Sequence, residues 1–229
     1  MTEPLLEMKH VEKRFGKQTV LQDMNLTVYP GQIIGLIGPS GAGKSTAIKT
    51  ALGMEVADGG ESNVLGIHLP NREVLGRIGY MAQSDALYDS LSGRENLKFF
   101  AQMKGVAKDG MAAAIQHVAA VVELTADLDK RVSGYSGGMQ RRLSLAIALL
   151  GEPEILILDE PTVGIDPALR RKIWAELANI KTSGCGVLIT THVMDEAELT
   201  DRVALLLAGK IMAFDAPKVL EEQYGGVDR

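Results

Sequence analysis

Between Gly38 and Thr46 the chain reads Gly-Pro-Ser-Gly-Ala-Gly-Lys-Ser-Thr, two glycines separated by four residues and followed by Lys-Ser. An apolar run, Ile33-Ile34-Gly35-Leu36-Ile37, precedes it, so the motif sits where it needs to be: after a buried strand and at the mouth of a helix beginning near Lys44. Gly41 and Gly43 admit torsions that side chains resist. Successive backbone N–H groups can therefore turn inward, and the free donors of the helix start add a positive dipole end. A phosphate chain fits such a cradle, with Gly38 and Ser40 completing the loop. Lys44 supplies a mobile charge between terminal phosphates, Ser45 a hard hydroxyl ligand for magnesium, and Thr46 a further phosphate contact.

Six other places set candidate side chains at element ends. The run Ile155-Leu156-Ile157-Leu158 is apolar enough for the centre of a parallel sheet, and it stops at Asp159-Glu160. Adjacent acids at the C-terminal edge of an open α/β sheet lie beside the phosphate loop, where one can hold magnesium through its water shell and the other can polarise an attacking water. Gln83 follows the short strand from Arg77 to Ala82, and His192 follows Val187-Leu188-Ile189-Thr190. Ser136-Gly137-Gly138 stands before an apolar helix face of Leu143, Ala146, Ile147 and Leu150, which makes a second anion-binding helix end. Asp166-Pro167 reads as the N-cap and first residue of a helix running to about Thr182. Phe15 lies before Gly16, and its ring offers a platform for a base.

The elements that must carry these residues follow from periodicity. Short β-type runs, Leu5 to Phe15, Thr19 to Leu21 and Met24 to Tyr29, predict an antiparallel edge sheet ahead of the loop. From about residue 85 to residue 148 the pattern turns helical, with Glu95 to Lys104 and Gly110 to Leu124 as helices and Ile115, Val118, Ala119 and Val122 on one face. The final runs, Val203 to Leu207 and Lys210 to Phe214, predict a hairpin followed by a short helix from Pro217. The expected fold class is α/β: a P-loop NTPase core with a mostly parallel sheet, an N-terminal antiparallel β subdomain and an inserted α-helical subdomain. Residues 1–229 then form a single domain.

Composition limits the partners. The chain has 229 residues, 46% hydrophobic and 23% charged, as in soluble globular proteins. A net charge of −5 argues against a surface devoted to nucleic acid. Cys185 is the only cysteine, so an intrachain disulfide is excluded and a buried structural thiol is expected. No apolar run approaches the roughly 20 residues that span a bilayer, and Glu3 and Glu7 around Leu5-Leu6 do not make a signal peptide. His117, alone on its helix, is assigned no function.

With seven such elements in this order the chain resembles the nucleotide-binding subunits of ABC transporters over nearly all its residues. The resemblance implies that Phe15 stacks adenine and that residues 38 to 46 are the Walker A loop. Gln83 becomes the Q-loop glutamine, which senses magnesium and the transmembrane partner. Ser136, Gly137 and Gly138 become the signature motif, Asp159 the Walker B acid, Glu160 the catalytic base, Asp166 the D-loop aspartate and His192 the switch histidine. It further implies a head-to-tail dimer, homomeric or heteromeric, in which ATP and Mg2+ held by Lys44 and Ser45 of one subunit are covered by Ser136 and Gly138 of the other. A separate transmembrane permease then receives the motion, through a surface near Ser84 to Asn96, and the subunit sits in the cytoplasm on the inner face of the membrane.

The signature departs from the usual Leu-Ser-Gly-Gly-Gln: Tyr135 replaces the leucine and Met139 the glutamine, with Gln140 one place later. The Met139 to Arg142 continuation and the stretch Val163 to Pro167 resemble the branch associated with drug and polysaccharide export. The main rival is a soluble ABC-type ATPase of translation or DNA repair, which usually has two fused cassettes or a long coiled-coil insertion; here there is one cassette and no heptad array. A P-loop GTPase or small-molecule kinase is disfavoured by the absence of Asn-Lys-x-Asp and by the paired acids.

Overall fold

The computed structural model describes residues 2–83 and 86–224. In chain order its elements are β1 (Leu6–Phe15), β2 (Gln18–Val28), β3 (Ile33–Ile37), α1 (Lys44–Ala51), β4 (Gly59–Val64), β5 (Ile67–His68), β6 (Ile78–Met81), α2 (Gly93–Met103), α3 (Lys108–Val121) and α4 (Gly137–Leu149). There follow β7 (Ile155–Asp159), α5 (Pro167–Thr182), β8 (Gly186–Thr191), α6 (Met194–Ala197), β9 (Arg202–Leu207), β10 (Lys210–Asp215) and α7 (Pro217–Tyr224).

The strands form two sheets. An antiparallel sheet runs in the order β2-β1-β4-β5, and a six-stranded sheet in the order β10-β9-β3-β8-β7-β6. In the second, β9, β3, β8, β7 and β6 are mutually parallel and β10 closes one edge as the antiparallel arm of a hairpin. Parallel strands all finish on the same edge. Gly38, Gln83, Glu160 and His192 therefore follow the ends of β3, β6, β7 and β8 at one rim of the sheet, where open α/β folds bind ligands.

Thr19 to Leu21 and Met24 to Tyr29 are not separate strands. Both runs belong to β2, which stops at Val28, one residue short of the second run's end, and its polar Gln22-Asp23 step is absorbed by an irregular register: Leu21 pairs with Lys13, Met24 pairs with Val11, and Asp23 takes φ 51°. On β1 the buried positions Leu6, Met8 and Val11 skip a step in the same region, where His10 also has positive φ. An extra residue re-aims the side chains beyond it, so a strand interrupted in sequence stays continuous in space.

Every residue of β3, β7 and β8 is buried. Along β7, Ile155 and Ile157 join the core beneath the antiparallel sheet and α1, whereas Leu156 and Leu158 join the core beneath the helices. A strand covered on both faces needs apolar residues at successive positions, which is why this stretch carries no alternation. Cys185 is buried, with its thiol pushed up to about 12 by that burial.

The helical block starts at a capping box in which Ser92 Oγ accepts from the Glu95 N–H and Glu95 Oε2 accepts from the Ser92 N–H. Arg94 next to it pairs with Asp129. The expected α3 face, Ile115, Val118, Ala119 and Val122, is buried. At the far end of α4, Lys104 Nζ donates to the carbonyls of Ile147, Ala148 and Leu150 at 2.9–3.0 Å, satisfying groups a helix end leaves open.

The helical block meets the sheet most tightly where α4 crosses β6. A Cβ on Gly79 would lie 2.4 Å from the Ala148 carbonyl oxygen and 2.6 Å from Leu156 Cδ1, and backbone cannot yield as a side chain can. We expect Gly79→Ala to lower stability by about 3 kcal/mol in urea denaturation; an unchanged midpoint would show that α4 and β6 separate freely.

Candidate functional site

The loop after β3 takes its path from three glycines with different tasks. A Cβ on Gly38 would stand 2.2 Å from the Leu206 carbonyl oxygen, so the first glycine is required by close packing on β9. Gly41 and Gly43 have φ of 81° and 106°, in the left-handed region that favours glycine. Gly43 is also the residue before α1, which begins without a side-chain cap, so its N-terminal donors belong to the loop. Lys44 is buried, and Nζ donates to the Gly38 and Pro39 carbonyls at 2.7 and 3.2 Å.

A cavity of about 220 Å³ opens over this loop, lined by Val20, Ser40, Gly41, Gly43, Lys44, Ser45, Thr46, Gln83 and Glu160. Glu160 Oε1 lies 3.7 Å from Lys44 Nζ and 3.5 Å from His192 Nδ1. One carboxylate thus stands between a phosphate-loop cation and an imidazole, at the wall of a cavity shaped by backbone N–H groups. Such an arrangement can hold a phosphate chain and orient a water beside it.

The two acids sit in different environments. Asp159 is 1% exposed and its Oδ1 accepts from Thr190 Oγ1 at 2.5 Å. The same Thr190 oxygen accepts from the Glu160 N–H at 2.9 Å. Glu160 itself has φ 51°, sparsely populated for a residue with a Cβ, and this turn takes it off the line of β7 towards the cavity. Tyr80, on the neighbouring β6, has its phenol pushed up by burial and then by the charge of Asp159.

Behind His192 lies another carboxylate. Glu196, 1% exposed, accepts from Thr191 Oγ1 and Thr162 Oγ1, each at 2.6 Å, and stands 3.7 Å from Arg170 Nε. It links the end of β8, the loop after β7 and the helix after Asp166.

Seven candidate residues do not line the cavity: Gly38, Asp159 and His192, placed above, and Phe15, Ser136, Gly138 and Asp166. Phe15 is 48% exposed at the end of β1, with Lys13 Nζ 4.9 Å from its ring centroid. Ser136 caps α4 by accepting from the Met139 N–H, and Gly138 lies in that helix's first turn with open space where a Cβ would be, apart from Ser136 Oγ at 3.9 Å. Asp166 caps α5 by accepting from Ala168 and Leu169 N–H at 3.0 Å, and the Leu169 N–H in particular holds its carboxyl below the ordinary range. Ser84 and Asp85, the start of the surface expected to meet a membrane partner, lie outside the described residues.

The substitutions beside Ser136 are accommodated locally. Tyr135 is buried and its hydroxyl donates to the Asp127 carbonyl at 2.7 Å, over Gly93, where a Cβ would come within 2.3 Å of Tyr135 Oη. Met139 packs against the core of the helical block.

Sequence reasoning missed Val20, Thr190, Glu196 and Arg141. A threonine interrupting the aliphatic run at the end of β8 was the available signal for Thr190. Val20 carries no chemical signal; it reaches the cavity only because β2 passes over Gly43.

A glycine loop between strand and helix, Lys-Ser at its end and a carboxylate across the cavity define a P-loop nucleotide hydrolase. The chain belongs to the ABC transporter family, whose profile matches residues 21–163, and it is an ATP-binding cassette of that family. It is 38% identical over 226 residues to the Nod factor export ATP-binding protein I of Burkholderia lata, covering 97% of this chain and 74% of that protein. The Rhizobium meliloti protein of the same name is 41% identical over 221 residues, covering 95% of this chain and 66% of its own length. A solved structure described as the ATP-binding subunit of an ABC transporter matches with TM-score 0.90 at 28% identity, covering 98% of this chain and 95% of that one.

Two substitutions separate binding from chemistry. Lys44→Ala is expected to weaken ATP binding by about 100-fold in equilibrium titration, since it removes a buried cation from the phosphates. Thr190→Val removes the hydroxyl shared by the acids and should lower kcat by roughly tenfold while leaving ATP affinity within about twofold; equal losses in both would place Thr190 in binding.

Proposed function

We propose that this chain is the energising subunit of a membrane exporter, with ATP cleaved at the cavity over residues 38–46 by a water activated by Glu160. The observation that carries this reading is the position of Glu160, on the cavity wall within 4 Å of both Lys44 and His192. Loop N–H groups and Lys44 bind the phosphates, Glu160 takes the proton of the attacking water, and His192 orients Glu160 and the γ-phosphate.

The donor set suits magnesium. Ser45 and Gln83, both lining the cavity, would offer oxygens, and among the described residues no cluster of three His, Cys, Asp or Glu side chains competes to form an all-protein cage. Mg2+ prefers few protein oxygens completed by water and substrate phosphate, and Asp159, fixed by Thr190, would hold such a water shell. When bound, Mg2+ would supply positive charge to offset the negative charge of the phosphates during cleavage.

Ser136, Gly138 and Asp166 lie off the cavity and complete it only from a second subunit. Two cassettes facing head to tail place the α4 N-terminus of each over the ATP of the other. Phe15, exposed at the end of β1, stacks adenine. Among the described residues no helix is long and apolar enough to cross a membrane, so the permease is a separate polypeptide or segment, with this chain against its cytoplasmic face. Export is supported by the names of the relatives. Residues 1–229 work as one domain, with about 85–148 as its helical insert.

Glu160→Gln tests the assignment. It should bind ATP, hydrolyse it about a thousandfold more slowly and accumulate as an ATP-dependent dimer in light scattering. Undiminished turnover would remove Glu160 as the base, and a monomer at saturating ATP would remove the shared site.

A further inference from the structure

Arg141 sits one turn into α4, on the helical block, yet its guanidinium reaches the rim of the sheet. Nη1 donates to the carbonyls of Ala82 and Gln83 at 2.8 and 3.0 Å. Nη2 donates to the carbonyls of Asp159 and of Glu160, the latter at 2.9 Å. One side chain thus holds both chain segments that leave neighbouring strands β6 and β7 for the cavity. Its sequence neighbour Arg142 points elsewhere, to the carbonyls of Val122 and Glu123 after α3.

The contact falls where the backbone most needs support. Glu160 occupies a conformation that persists only if its surroundings over-determine it. Thr190 holds its N–H through Oγ1, and Arg141 holds its C=O, so the peptide groups on both sides of the turned residue are fixed. On the other segment, the carbonyl of Gln83 is held by the same guanidinium while Gln83 lines the cavity. A planar fork with five N–H donors can serve two carbonyl pairs at once; a point-like ammonium cannot.

We propose that Arg141 is a positioning residue for hydrolysis, tying the peptides of Gln83 and Glu160 to the first turns of α4 so that the placement of this helix sets the geometry of the reacting edge. Ser136 caps the same helix. A shift of α4 is thereby transmitted to Glu160 through one rigid group, without passing through the nucleotide. This deepens the reading of Glu160 as base and rests on it.

The test is steady-state ATP turnover by Arg141→Ala, Arg141→Lys and Arg141→Gln, with Glu160→Gln assayed in parallel. Arg141→Ala should lose about 30-fold or more in kcat with KM for ATP within about threefold, and low millimolar guanidinium, but not methylammonium, should restore at least a tenth of the lost rate. Arg141→Lys should stay as slow as the alanine variant. Should the alanine protein be insoluble, Arg141→Gln carries the same kcat-against-KM comparison. Full activity in Arg141→Lys, loss confined to KM, or no response to guanidinium in a folded Arg141→Ala would overturn the proposal. The two readings fail separately: a slow Glu160→Gln beside a normal Arg141→Ala removes Arg141 alone, whereas an active Glu160→Gln beside a slow, guanidinium-responsive Arg141→Ala removes the base and leaves the positioning role.

Discussion

Asp159 and Thr190 face each other across β7 and β8, and the order of the reacting edge depends on the hydrogen bond between them. A carboxylate this deeply buried is costly unless it is hydrogen-bonded, and the threonine hydroxyl supplies that donor. Its oxygen then receives the N–H of Glu160, so the group that makes Asp159 tolerable also fixes the residue after it. The register of the parallel pair decides which threonine does this. Side chains alternate along a strand, and the adjacent Thr191 turns to the other face, where it donates to Glu196. A slip of one residue would turn each threonine to the opposite face, away from the carboxylate it serves.

Much of this organisation was legible in the residues. Local chemistry with fixed spacing reads well: the glycine loop from Gly38 to Thr46, the aliphatic strand ending in Asp159-Glu160, and the capped helices after Ser136 and Asp166 all lie where their patterns placed them. Their common rim follows from parallel topology. Contacts that depend on distant segments did not read. Gly38 is explained by the Leu206 carbonyl, Gly79 by that of Ala148, and Arg141 by four carbonyls on two other segments. In each case the partner is a backbone atom, which has no residue identity to detect. The break at Gln22-Asp23 misled for the same reason, since a bulge is paid for by the partner strand and not by its own sequence.

The candidate residues divide into groups that line the cavity and groups that cap helices away from it. Lys44, Ser45, Gln83 and Glu160 all line the cavity, while Ser136 and Asp166 are each engaged in capping their own helix. Capping does not exhaust a helix N-terminus, because one side-chain oxygen satisfies only one or two of its free donors. Glu196 connects the second group to the first: through Thr162, Thr191 and Arg170 it links the turn before Asp166 to the strand that ends at His192. Buried polar links of this kind are stiff, since every broken bond leaves an unpaired group in a region of low dielectric.

The altered signature sharpens the point. Where Tyr135 and Met139 stand, the side chains are held by the helical block itself, one through its hydroxyl on Asp127 and the other in the apolar core. The bare surface of Gly93 makes room for the tyrosine ring, so the two positions are matched to each other and not to an external ligand. Ser136, Gly137 and Gly138 lie between these anchors. Their placement is therefore set by packing on both flanks, and the amide usual at position 139 is not required to hold them. One turn further on, Arg141 ties the start of α4 to the reacting edge through the peptide carbonyls of Ala82, Gln83 and Glu160.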